Sequence, residues 1–384
     1  MQYRKLGRTG MDVSVVGLGL EHLEKADQAT VHDVLSRLID AGGNYIDLFM
    51  GSPDIRDRVG AALRGRRERL LIQGHIGAVW QDNQYGRSRE PALCRTFVDD
   101  LLRRLATDYV DVLMIHFVDD ADEWDRLLAP GEIMDIARQY RDAGHARAIG
   151  LSSHVPSVAR RAVETGLIDV LMFPVNPIFD SIRGDRNIEA LFNPETFEAH
   201  GLGADRERAA LYDACERHGT AIVSMKTYAA GWLLGGNSDL HLKMTPAQCI
   251  QYALDRPGVA AALPGCRTVE EMDAALSYVT STPEERDYAQ VLADSLLWNQ
   301  TNRCMYCNHC LPCPVGIDIG EITRLMDRME APESGFDPAV LRTSYAALPA
   351  SAGDCIACGV CESRCPFGVG VSRNMERAAA VVGR

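Results

Sequence analysis

Short β-branched runs alternate with longer stretches of helical periodicity through residue 282, the pattern of βαβ units feeding a parallel sheet. The runs predict strands over Val13–Leu18, Tyr45–Leu48, Arg69–Gln73, Tyr109–Ile115, Arg147–Leu151, Val170–Phe173, Ala221–Ser224 and Ala260–Leu263. Between them, apolar positions at helical spacing predict Gln28–Ala41, Pro91–Leu105, Glu132–Ala143, Pro156–Thr165, Arg206–His218, Pro246–Asp255 and Val269–Tyr278. Helices stop at glycine in Asp40-Ala41-Gly42-Gly43 and Glu216-Arg217-His218-Gly219. Eight strands alternating with helices, these seven among them, point to an α/β fold, the (β/α)8 TIM barrel. A Rossmann sheet is the competing class, but no GxGxxG follows the first strand.

The periodicity lapses over Asn176–Gly203, a long loop after strand six of the kind that shapes a pocket or an interface. Residues 283–300 read as a connecting helix, Ala331–Ala352 as loop and Ser372–Val382 as a short helix. The expected layout is a barrel over 1–282, a connection over 283–300 and a small helical and loop domain over 301–384.

The 384 residues, 46% of them apolar, suffice for one large core and one small domain. A formal net charge of −13 excludes a nucleic-acid or anionic-membrane partner that would need a basic patch. No apolar run approaches a membrane span, and the first residues lack a signal-peptide pattern.

Eight of the 12 cysteines form two related runs near the C-terminal end. One is Cys304-x2-Cys307-x2-Cys310-x2-Cys313-Pro314, and the other is Cys355-x2-Cys358-x2-Cys361-x3-Cys365-Pro366. Three closely spaced thiolates hold three corners of a [4Fe–4S] cube, and the cysteine before proline ligates the cube of the other run. One cube would take Cys304, Cys307, Cys310 and Cys365, and the other Cys355, Cys358, Cys361 and Cys313. The last gap of the first run is one residue short, so Cys313 departs from the pattern. Paired CxxC motifs also make zinc sites, but zinc calls for two pairs rather than two triplets each followed by Cys-Pro. The tail resembles a bacterial two-cluster ferredoxin. Thiolate ligands need a reducing compartment, so the cytoplasm is expected. Cys94, Cys215, Cys249 and Cys266 are scattered and read as buried thiols.

The opening Tyr3-Arg4-Lys5-Leu6-Gly7-Arg8-Thr9-Gly10 and Val13-Ser14-Val15-Val16-Gly17-Leu18-Gly19 resembles that of the aldo-keto reductases. The similarity continues through Gly150-Leu151-Ser152-Ser153-His154 and Ser224-Met225-Lys226 to Pro264-Gly265-Cys266-Arg267-Thr268-Val269-Glu270-Glu271. The chain looks like the branch of that family with a C-terminal two-cluster ferredoxin-like domain. The resemblance implies a hairpin-closed barrel and hydride transfer from a nicotinamide cofactor. It also implies a proton-donating tyrosine, a lysine paired with an aspartate, and a substrate-orienting histidine. Asp47 matches the aspartate and His116 the histidine, but Ser52 stands at the tyrosine position and His75 at the lysine position. An aliphatic hydroxyl is a far weaker acid than a phenol, whose ordinary pKa is about 10. Imidazole titrates near neutrality, so Asp47 and His75 are the candidate acid/base pair, with His116 orienting substrate and Ser52 contributing a hydrogen bond.

The resemblance further implies a cofactor cradle of Ser152, Asn176, Lys226, Gly265 and Arg267. At its adenosine end, Glu271 and Ala275 stand where the family offers an arginine and an asparagine. A glutamate repels the 2′-phosphate of NADP. NAD(P)H therefore stays an open alternative disfavoured at that end, and a flavin is left open. His22, His75, His116 and His154 lie at or just after strand ends, and with Asp47 they could gather a metal. They lack HxH or HxxxH spacing, which favours hydrogen bonding to substrate. Glu21 and His22 are expected to flank the pocket, and His309 to be exposed.

The expected function is an iron–sulfur oxidoreductase that couples single-electron transfer to reduction or oxidation of a small organic substrate at the barrel mouth. The alternatives are an NAD(P)H-dependent carbonyl reductase and a non-catalytic electron relay. A ferredoxin or flavoprotein would serve as redox partner, and the acidic balance suits a basic one.

Overall fold

The computed structural model describes residues 1–181, 206–235, 242–295, 304–331 and 335–382. A hairpin of β1 (Tyr3–Lys5) and β2 (Asp12–Ser14) precedes eight parallel strands. These are β3 (Leu18–Gly19), β4 (Tyr45–Leu48), β5 (Leu71–Ile76), β8 (Val110–Ile115), β9 (Ala146–Ser152), β10 (Val170–Pro174), β11 (Ala221–Met225) and β12 (Val259–Ala262). Each pairs with the next in chain order, and bridges Val16–Ala262 and Gly19–Gly265 join last to first. The helices cover the outside, so the strands are buried on both faces and read as nearly continuous apolar runs. Leu6, Met11 and Val13 of the hairpin pack against Val112, Met114, Val170, Val223 and Ala261 inside the barrel. That plug leaves the opposite rim, at the C-terminal ends of the strands, as the open mouth.

Several elements differ from the sequence expectation. The run Val13–Leu18 is divided, because Val13 pairs with Arg4 while Val16 bridges Ala262. Ser14 turns the chain between them, its Oγ donating to the Val16 carbonyl and accepting from Asn44 N. A further helix, Pro53–Ala62, buries Ile55, Val59 and Ala62 and starts with proline in its first turn. An extra hairpin of β6 (Ala78–Gln81) and β7 (Gln84–Arg87) follows β5, turning on Asp82 and Asn83, both at positive φ.

The predicted connecting helix is two short ones, Pro283–Arg286 and Ala289–Ala293, with extended backbone at Asp287 between them. Its last residues, like most of the loop Asn176–Gly203, lie outside the described residues. The predicted loop Ala331–Ala352 contains the helix Pro338–Ala346, whose buried stripe is only Leu341 and Tyr345. Helices Ile319–Glu330 and Val371–Val382 pack together behind the cysteine loops through Ile322, Leu325, Met326, Met375 and Ala378. Arg328 is buried and joins this region to helix Arg206–His218 by pairing with Asp213 at 2.7 Å and with Glu216. Among the described residues no helix is long and apolar enough to cross a membrane.

Candidate functional site

A cavity of about 780 Å³ opens at the strand C-termini. Asp47 enters it from β4, His75 from β5, and His116 from the position after β8. The register sets Asp47 opposite Gln73 and His75 opposite Met114, so the two acid/base candidates rise on neighbouring strands. Asp47 Oδ1 lies 2.7 Å from His75 Nε2, and His75 Nδ1 lies 2.9 Å from His116 Nδ1. Gln73 steadies the carboxylate from behind, donating to Asp47 Oδ1 at 2.6 Å while accepting from the Tyr45 hydroxyl at 2.7 Å. Asp47 and His75 are 2% and 1% exposed, so the pair is dry and its attraction little screened. Burial, and then the neighbouring His75, hold His116 well below the usual histidine range. Its imidazole is therefore neutral near pH 7.

The chain of rings continues to a residue the sequence reading missed. Tyr85, on the second strand of the extra hairpin, brings its hydroxyl to 2.6 Å from His116 Nε2. Phe49 stacks on His116 at 5.4 Å between centroids and meets Tyr85 edge-on at 5.7 Å. The signal for the hairpin was present in Asp82-Asn83 between alternating residues, a two-residue turn that tolerates positive φ. Ser52 does not line the cavity. It precedes helix Pro53–Ala62, is 5% exposed, and makes no side-chain cap hydrogen bond. Its neighbour Gly51 lies under the hairpin, where an added Cβ would sit 2.7 Å from the Val79 carbonyl carbon. The hairpin thus lies over the segment that leads into Ser52.

His154 also lines the cavity, and Asp119, which does not, holds it with Oδ2 2.9 Å from Nδ1. Burial pushes Asp119 up, but its hydrogen bonds and charge contact with His154 outweigh this and hold it below its ordinary value. Burial lowers His154 against the opposing pull of Asp119.

Of the expected cofactor cradle, Ser152, Lys226, Gly265 and Arg267 line the cavity, and Asn176 does not. Both ends of the Asn176 amide are used, the oxygen accepting from Phe179 N and the nitrogen donating to the Lys226 carbonyl. Ser152 Oγ accepts from Phe117 N. Gly265 packs under the His22 ring, where a Cβ would come within 2.3 Å. Glu271 accepts from Arg267 N at 2.6 Å and stands 3.7 Å from its guanidinium, so the cation here already has an anionic neighbour. Ala275 is buried, and Ala274 lines the cavity instead. Burial lowers the Lys226 ammonium, with Glu21 and Asp119 opposing.

The cysteines enclose two small cavities. Cys304, Cys307, Cys310 and Cys365 line one, walled by Ile319, Phe367 and Val369. Cys313 lies at the other with Cys355, Cys358 and Cys361, and Cys310 borders it as well. Positive φ at Tyr306, Asn308, Ala357 and Gly359 curls both loops, and Tyr306 N donates to Cys304 Sγ at 3.4 Å. Four soft sulfur donors in an apolar shell with backbone N–H groups suit iron–sulfur ligation. As free thiols, Cys304 and Cys310 are pushed up by burial to about 12, so binding metal would release protons. Among the described residues no three His, Cys, Asp or Glu side chains converge to hold a single metal ion, at the mouth or in these loops. The Cys304 cavity is the one beside the barrel. Arg256 donates to the Met305 carbonyl at 3.3 Å, and His309, expected to be exposed, is half-buried and pairs with Asp287.

The 4Fe-4S dicluster domain profile matches residues 303–370, and the aldo/keto reductase family profile matches residues 15–248. YqkF, an uncharacterized oxidoreductase of Bacillus subtilis (strain 168), is 25% identical over 287 residues, covering 71% of this chain and 89% of that protein. The L-glyceraldehyde 3-phosphate reductase of Escherichia coli (strain K12) is 26% identical over 174 residues, 43% of this chain and 49% of that protein. Among solved structures, the holo form of aldo-keto reductase AKR11C1 from Bacillus halodurans superposes with a TM-score of 0.59. At 22% identity it covers 78% of this chain and 99% of that one, a likeness of fold. The chain therefore belongs to the aldo/keto reductase family, as an oxidoreductase whose barrel is followed by a 4Fe–4S dicluster domain.

Proposed function

We propose that the chain couples single-electron transfer at its iron–sulfur domain to reduction or oxidation of a small organic substrate at the barrel mouth. The observation that carries this reading is the buried Asp47–His75–His116 chain, standing where the family's tyrosine and lysine are absent. It provides proton transfer, while the adenosine end of the cavity opposes NADP through Glu271.

Cys304, Cys307, Cys310 and Cys365 would hold one cube, and Cys355, Cys358, Cys361 and Cys313 the other. When bound, each cube supplies one-electron exchange at a potential set by its hydrogen bonds and exposure. Asp47 keeps His75 oriented through its contact at Nε2, and His116 carries the hydrogen-bonded chain to the mouth. Cys358 is exposed and Ile356 beside it is 62% exposed, which gives a ferredoxin or flavoprotein partner an apolar contact at the outer cavity.

Calorimetry with NADPH tests the reading. Binding weaker than micromolar is expected. A dissociation constant near 1 μM, about −8 kcal/mol, would favour an NADPH-dependent carbonyl reductase instead.

A further inference from the structure

Every ring nitrogen of the buried histidine pair is occupied. His75 uses Nε2 on Asp47 and Nδ1 on His116, and His116 uses Nε2 on the Tyr85 hydroxyl. Neither imidazole has a nitrogen left to meet a substrate. Tyr85 does: its phenol closes the chain, its side chain lines the cavity, and the residue is 43% exposed. From this geometry we infer that Tyr85 is the catalytic residue that hands a proton to the substrate, at the outer end of a relay loaded at His75. The inference rests on the proposed redox chemistry at this mouth and adds the group that touches the substrate.

The contacts allow two proton arrangements. With the relay empty, Tyr85 donates to His116 Nε2, His116 Nδ1–H donates to His75 Nδ1, and His75 Nε2–H donates to Asp47. With one more proton, His75 is an imidazolium paired to Asp47, and its Nδ1–H donates to His116 Nδ1. His116 then carries its hydrogen on Nε2 and donates to Tyr85, whose own O–H is free to point at the substrate. Delivery converts the loaded state to the empty one. The Tyr85 O–H breaks as an O–H forms on a substrate oxygen that carries the negative charge of the electron transferred to it, so the protonated product is neutral. The His116 proton restores the phenol, and the His75 Nδ1 proton restores His116. One proton and one positive charge leave His75, and Tyr85 and His116 end neutral.

The surroundings suit this. Burial keeps His116 from holding a second proton, and His75, Arg89, His154 and Arg87 act on it in the same direction. Burial first, and Glu21 in part, keep Tyr85 a phenol against Arg87 and Arg89. Phe49 fixes the ring order by stacking on His116. Arg89 anchors the rim by donating to the His116 and Phe117 carbonyls at 2.8 and 3.0 Å. The hairpin thus supplies a phenol that the segment at Ser52 lacks.

The test uses the full chain with both clusters, wild type and Tyr85→Phe, and two readouts. Nitrogen NMR of the histidine rings is followed through a pH titration in the oxidised state. The relay requires the hydrogen of His116 to move from Nδ1 to Nε2 as His75 gains its proton, and Tyr85→Phe to shift the His116 Nε2 signal. A hydrogen fixed on one nitrogen throughout, or no response to Tyr85→Phe, overturns the relay. In the second readout, dithionite-reduced protein freed of excess reductant is mixed with an aromatic α-diketone, and cluster reoxidation is timed. Tyr85→Phe should slow reoxidation by about 10²–10⁴-fold while reduction by dithionite is unchanged. Equal rates in the two proteins overturn the assignment of Tyr85. Failure of the wild type to reoxidise instead counts against the proposed redox coupling, and the ring-nitrogen spectra still decide the relay.

Discussion

At the barrel mouth, Asp47 and His75 stand on adjacent strands whose backbones are paired residue by residue, and a glutamine braces the carboxylate. In the cysteine region, the first four thiols lie on a loop that precedes the helix Ile319–Glu330 and has no regular structure of its own. The first site is held by the pairing of the strands themselves. The second is a pair of small apolar cavities lined by cysteines that sit mostly on loops. Paired barrel strands can therefore hold side chains at their C-terminal ends in a fixed geometry whatever those side chains are. The cysteine loops depend instead on spacing, which is the same in both runs except before Cys313 and Cys365.

Removing iron should separate the two regions most sharply. Metal-coupled folding of small domains is worth on the order of 10 kcal/mol. Chelation should expose the amides of Ile319–Glu330 and Val371–Val382 to hydrogen exchange while β4, β5 and β8 stay protected. Equal protection before and after would mean that the tail folds on its own core. Within the tail, Cys365→Ser should reduce iron from about eight to about four per chain, at the expense of the cube beside the barrel.

His75→Ala comes next. Loss of a general acid–base group costs about 10²–10⁴-fold in rate. The pH profile should flatten and the cluster absorbance should be unchanged, which a merely structural defect would not produce. An unaltered rate and profile would remove His75 from the chemistry.

Acid should weaken the barrel through its buried histidines. His116 and His154 are both held below the usual histidine range by burial. Once unfolded, they take up protons below about pH 6.5. The unfolded state then binds more protons, so barrel stability falls as the pH drops through that value. Thermal melts should show this decline, and His116→Gln should lessen it. An identical decline in the variant would place the acid sensitivity elsewhere.

Ser52→Ala should do least. A small buried hydroxyl that neither caps its helix nor lines the cavity should change the rate less than about threefold and stability by about 0.5 kcal/mol. A severe loss would restore Ser52 to the site.

The barrel was legible because its strands are buried on both faces and its helices are amphipathic, so periodicity marks each element. The boundaries that moved did so where side chains overrule period, as where Ser14 turns the first strand. Asp47, His75 and His116 were legible from their place at strand ends. Tyr85 was not, because its role depends on a hairpin that folds back over Gly51, and no local pattern states where a hairpin tip will land. Helix Pro338–Ala346 was obscured by having only Leu341 and Tyr345 to bury. The cysteine region was legible by the opposite route, since ligand spacing is written in the sequence even where secondary structure is not.

Coupling between the two regions is tested most directly by a single turnover without nicotinamide. The cluster-loaded chain is reduced with dithionite, freed of excess reductant and mixed anaerobically with an aromatic α-diketone. Coupled electron transfer predicts one hydroxyketone for each two electrons withdrawn from the clusters and two protons taken up, with no NADPH added. Clusters that stay reduced, with product appearing only after NADPH is supplied, would contradict it.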